Sequence, residues 1–121
     1  MSREYCDYIL DLLSPLRGVS AKRMFGGFGL FKGGLMFAII LDDTLYFKTA
    51  DSNRADYEDA GSAPFTYQAK GRTVTLSYWN APPEALDDES ALLEWARKAH
   101  QAAIETQDKK PAKKKAVKTK K

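Results

Sequence analysis

The sequence has one cysteine, Cys6, and one histidine, His100. A lone thiol closes no internal disulfide, which points to a reducing compartment, the cytoplasm. One imidazole and one thiol, far apart in the chain, also fall short of the three or four ligands that zinc takes. Cys6 lies in an amphipathic stretch with no base beside it, so it reads as core packing rather than as a nucleophile. His100 falls on the apolar side of the last helix and reads as structural. The longest apolar run is the seven residues 35–41, against roughly 20 for a membrane span. With Met1-Ser2-Arg3-Glu4 at the start, neither a membrane anchor nor a secretory leader is expected.

Phosphate loops are missing as well. A dinucleotide fingerprint opening on Gly27-Phe28-Gly29 would need glycine at position 32, where Lys32 stands, and the segment leads into a strand instead of a helix. No Gly-Lys-Ser or Gly-Lys-Thr occurs. The glycines of 26–34 therefore read as bends and close packing. Asp42-Asp43 and Asp87-Asp88 are accounted for by a turn and a helix start, and not by an acid/base couple. The expectation is a protein that is not an enzyme, with no catalytic residue, cofactor or metal.

What is present is the material of one small domain. Of 121 residues, 44% are hydrophobic and 12% aromatic, enough for a core without disulfide or metal staples. The net charge of +3 hides a division. Residues 109–121 hold eight lysines and no acid, so the tail is +8 and the body −5. The tail, with Lys109, Lys110, Lys113, Lys114, Lys115, Lys118, Lys120 and Lys121, is low in complexity and cannot build a core, so disorder is expected over 107–121. Such a cluster binds polyanions by counterion release without reading bases, which predicts weak, non-specific DNA or RNA contact.

Apolar residues at spacings of three and four, from Tyr5 to Leu16, predict a helix that Pro15 and Gly18 end. Strand-like runs follow at 28–31, 35–41 and 44–48, separated by the turn pairs Gly33-Gly34 and Asp42-Asp43, with 21–25 as a further strand or a lead-in. A short helix over about 52–60, capped by Asp51 or Ser52, precedes a second hairpin in which Lys70-Gly71 turns the chain and Val74, Leu76 and Tyr78 alternate with polar residues. A long helix opens on Asp87-Asp88-Glu89, carries its stripe on Leu92, Ala96, Ala99 and Ala103, and frays near 105–108. The order α-β-β-β-α-β-β-α, with a body at 1–106, predicts an α+β two-layer sandwich, an antiparallel sheet with helices on one face.

Strand 35–41 is apolar on both sides. Strict alternation puts Met36, Ala38 and Ile40 on one face, with Tyr46 or Phe31 alongside, and predicts that this face either pairs two copies as a homodimer or is covered within the monomer by a helix or the C-terminal segment. A different reading is a small-molecule-binding protein, or an enzyme, with an aromatic pocket among Tyr46, Tyr67, Tyr78 and Trp79.

The run Ala21-Lys22-Arg23-Met24-Phe25-Gly26-Gly27-Phe28-Gly29-Leu30-Phe31 resembles the signature of the TfoX/Sxy N-terminal domain. Met36-Phe37-Ala38, residues 43–48, 53–57, Pro64-Phe65-Thr66-Tyr67 and Ser77-Tyr78-Trp79 agree with it in order, so the likeness covers about 3–106. The resemblance implies helix, three strands, helix, two strands, helix, and a regulator of natural competence. Such proteins act with a transcription-regulatory partner, a cyclic-AMP-responsive activator, at promoters. It implies no catalytic residues, and a shared surface on Arg23, Met24, Phe25, Gly26, Gly27 and Gly29, with Arg23 as polar and Phe25 as apolar contact. Full-length relatives carry a second, helical domain, and this chain is expected to be a stand-alone version without it.

Overall fold

The computed structural model describes residues 3–24 and 26–109. Helix α1 (Arg3–Leu12) runs into a 3-10 turn at Ser14–Leu16, where Pro15 takes an N-terminal position that needs no N–H. Four strands follow, β1 (Val19–Met24), β2 (Gly27–Lys32), β3 (Leu35–Leu41) and β4 (Thr44–Lys48). Helix α2 (Arg54–Asp59), the hairpin of β5 (Pro64–Ala69) and β6 (Arg72–Asn80), the short α3 (Pro83–Leu86) and the long α4 (Glu89–Lys109) complete the body. The six strands form one antiparallel sheet in the order β1-β2-β3-β4-β6-β5. The α+β class expected from the sequence is therefore observed, with 19–24 as a full strand and α3 as an added turn of helix.

Turn chemistry sets the hairpins. Gly33 and Gly34 (φ 62° and 81°), Asp42 and Asp43 (50° and 57°), and Lys70 and Gly71 (50° and 78°) are all left-handed pairs, the backbone that matches the right-handed twist of flanking strands. Loop chemistry is subtler after β4. Asn53, and not Asp51 or Ser52, stands before α2, and its buried amide accepts from the Ala50 N–H at 2.7 Å while donating to the Lys48 carbonyl at 3.1 Å. Asp88 caps α4 as its position implied, its Oδ2 accepting the Ala91 N–H at 2.9 Å.

One sheet face and the helices enclose the core, built from Phe28, Leu30, Phe37, Ala38, Ile40, Leu45 and Phe47 against Cys6, Ile9, Leu13, Leu92, Ala96, Ala99 and Ala103. Alanines on α4 let its backbone lie close to β3 and β4, and a larger side chain there would force the layers apart. His100 joins this layer. Its ring meets Phe37 edge-on at 6.1 Å and its Nε2 is 3.1 Å from the Lys32 carbonyl, so Nε2 carries the proton and donates, a structural use of the imidazole.

Two expectations need correction. Helix α4 continues through Lys109, past the fraying point near 105–108; Ala102 and Ala103 are buried, and Thr106 donates back to the Ala102 carbonyl. Lysines 110 to 121 lie outside the described residues, as does Phe25. The second correction concerns β3. Its register shifts at Phe37: Leu30 faces Ala38, whereas Phe31 faces Met36. This bulge breaks the alternation. Phe37, Ala38 and Ile40 all turn to the helices, at 0%, 0% and 1% exposure, so Ala38 and Ile40 cannot form a dimer face. Met36 and Tyr46 lie on the open side, and Ile39 and Leu41 join them.

Candidate functional site

Consecutive strand residues point to opposite faces, which divides the glycine-rich signature between two surfaces. Arg23 lies on the helix side, its guanidinium 5.5 Å from the centroid of Phe28, with that of Arg3 at 5.7 Å from the same ring. Met24 lies on the open side. An added Cβ on Gly29 would stand 2.9 Å from the Met24 sulfur and 2.8 Å from that of Met36, so the two thioethers close over this glycine from either side. A Cβ on Gly27 would overlap the Ile40 carbonyl oxygen and stand 2.7 Å from Leu41 Cδ2. Gly26, at φ 77°, makes the turn between β1 and β2. Arg23, Met24, Gly26, Gly27 and Gly29 thus shape the sheet instead of converging on one contact surface.

The aromatic residues named as a pocket also divide. Trp79 pairs with Phe47 on the helix side and approaches Tyr57 at 6.3 Å, because β6 alternates without interruption there. Tyr78 spans the open side and donates its hydroxyl to the Met36 carbonyl at 3.0 Å. Tyr46 meets Phe65 edge-on at 5.2 Å, and Phe65 in turn lies 6.1 Å from Tyr67.

These contacts build a concavity of about 560 Å³ on the open face. Its lining comes from β3 (Ile39, Leu41), the hairpin β5–β6 (Phe65, Tyr67, Leu76) and the turns at Gly26 and Asp42. Ile39, Leu41, Phe65 and Leu76 were not singled out from the sequence, although Leu76 was placed on the apolar side of its strand. Among the described residues, Asp42 is the one charged residue in the lining, and it makes no ion pair with them. Burial pushes the Tyr46 phenol up, and the Asp42 carboxylate adds to it. The cup is mostly apolar, with one anionic corner.

Reactive groups are placed differently. Cys6 is 1% exposed, and burial, with Asp7 adding, pushes its thiol up, opposite to what a nucleophile needs. No group of three or more His, Cys, Asp or Glu that could hold a metal occurs among the described residues. No helix among them is long and apolar enough to cross a membrane.

The buried phenols give the body a signature in alkali. Burial pushes Tyr78 up to about 12, and burial followed by the Asp56 carboxylate also raises Tyr57, whose hydroxyl has no hydrogen-bond partner among the described residues. Unfolded tyrosines ionise near about 10. Below that pH both states hold the proton and stability is constant. Above it the unfolded chain releases protons that the folded one retains, so stability falls as pH rises from about 10 through about 12, by about 3 kcal/mol for Tyr78, with Tyr57 adding in the same direction. Urea midpoints from pH 8 to 11.5 check this. Tyr78→Phe should flatten its part of the decline, at a cost of about 1 kcal/mol at neutral pH for the lost bond to Met36.

An antiparallel sheet layered on one side by helices, with its other side apolar and cupped, defines an α+β domain. The TfoX N-terminal domain family model matches residues 11–103, and the chain belongs to that family. It is similar to the DNA transformation protein TfoX1 of Aliivibrio fischeri, with 29% identity over 70 residues, 58% of this chain. The chain spans about a third of that relative's length, 34%.

Proposed function

We propose that this chain is a non-catalytic regulatory module of DNA transformation, working in the cytoplasm by contact with a transcription-regulatory protein. The observation that carries the reading is the open sheet face, where Met36, Ile39, Leu41 and Phe65 are assembled with no helix of the described residues over them. Family membership and the name of the A. fischeri relative support the process. The lysines of 109–121 add weak, sequence-independent nucleic-acid affinity, since a dense cationic segment releases the counterions of any polyanion it meets.

The test is genetic. Removing the gene from the cell of origin should lower DNA transformation and the transcripts that accompany it, and re-expression should restore both. Unchanged transformation and transcripts would remove the reading. The concavity of about 560 Å³ supports a second one, a small-molecule receptor with an apolar cup, for which thermal shifts against a metabolite panel are the discriminating measurement. Two copies paired through the same face are a third arrangement, which sedimentation velocity at rising concentration separates from a monomer.

A further inference from the structure

We propose that the open cup binds a small amphiphilic cation, an organic ammonium whose apolar body lies among Ile39, Leu41, Phe65 and Leu76 and whose charge meets Asp42. This deepens the small-molecule reading of the cup and rests on it. A concavity of about 560 Å³ falls inside the range of roughly 300–1,000 Å³ usual for small-molecule sites, and an apolar, aromatic lining with one placed charge is their usual chemistry. The walls support one another. Tyr46 packs edge-on against Phe65 at 5.2 Å, Phe65 lies 6.1 Å from Tyr67, and the hairpin that carries the last two rings turns on the left-handed pair Lys70-Gly71.

The turn between β3 and β4 supplies the sign of the charge, because its two carboxylates act on opposite faces of the sheet. Burial and Tyr8 raise the Tyr5 phenol on the helix side and Asp43 adds to it, whereas burial raises the Tyr46 phenol on the open side and Asp42 adds to that one. Asp42 therefore stands at the aromatic wall of the cup. It has no ion pair among the described residues, so the cup sets an uncompensated anion beside apolar surface, where an ammonium is attracted and a carboxylate repelled. The neighbouring phenol rings add to the attraction for a cation. A second copy of the chain docked cup to cup would set hollow against hollow and Asp42 toward its own image. Neither the volume nor the charge would be met.

Matched sets of primary amine, alcohol and carboxylate on phenylethyl, naphthylethyl, indolylethyl and octyl bodies, titrated into the full chain by calorimetry, test the idea. Expected is that the best-fitting body binds as the amine about tenfold more tightly than as the carboxylate, with the alcohol between them. Asp42→Asn should weaken that amine about fivefold and leave the alcohol unchanged, and it keeps the turn because asparagine tolerates left-handed backbone. Asp42→Lys should reverse the order of amine and carboxylate. Binding that ignores the head group, or an order that survives Asp42→Lys, would overturn the proposal and leave the small-molecule reading standing. So would stabilisation by neutral or anionic metabolites with no amine bound. A concentration-dependent dimer that excludes the probes would overturn it as well, and no binding by any probe or metabolite would remove both.

Discussion

Gly27→Ala should cost the body at least about 3 kcal/mol, enough to leave much of it unfolded at 37 °C if its total stability is ordinary. The added methyl would overlap the Ile40 carbonyl oxygen and press on Leu41 Cδ2 at 2.7 Å. Neither neighbour gives way cheaply, since Ile40 is held in the β3 ladder by Phe28 and Leu45 on either side. Gly29→Ala is the control. Its methyl would meet the sulfurs of Met24 and Met36, ends of flexible side chains that can swing aside, so the loss should be much smaller. Urea denaturation of both variants checks the pair, and equal losses would mean that the glycines serve something other than close packing.

Removing residues 110–121 should abolish most of the affinity for nucleic acid. That segment holds seven lysines. If all seven engage duplex DNA, the salt slope approaches about −6, and affinity drops by roughly three to four orders of magnitude between 50 and 200 mM salt. The truncated body carries more acid than base and should bind weakly at any salt. Fluorescence anisotropy with a labelled duplex of arbitrary sequence measures both quantities. Binding that persists after truncation, with an unchanged slope, would place the contact on the body and contradict the tail assignment.

Much of the fold was legible because its signals are local. Left-handed pairs such as Asp42-Asp43 and Lys70-Gly71 announce two-residue hairpins, and the leucine and alanine spacing of α4 announces the helix that covers β3. The bulge at Phe37 was not legible. It carries no glycine or proline, so alternation through 35–41 looked unbroken, and the face of Ala38 and Ile40 was read as open when it is the core. The cup escaped for a related reason, since it joins β3 to a hairpin more than twenty residues later in the chain, a juxtaposition that only the sheet order β4-β6-β5 creates. Trp79 illustrates the same limit. Its neighbours in sequence gave it an aromatic company, while pairing with Phe47 turned it to the other side.

The location of the working surface can be measured in one comparison, DNA transformation by cells carrying Leu76→Asp, at the open cup, or Glu94→Gln, on the exposed side of α4. Both proteins should accumulate as folded chains, with Leu76→Asp reducing transformation to the level of gene removal and Glu94→Gln leaving it unchanged. Full transformation by a folded Leu76→Asp protein, or its loss in Glu94→Gln, would contradict the account.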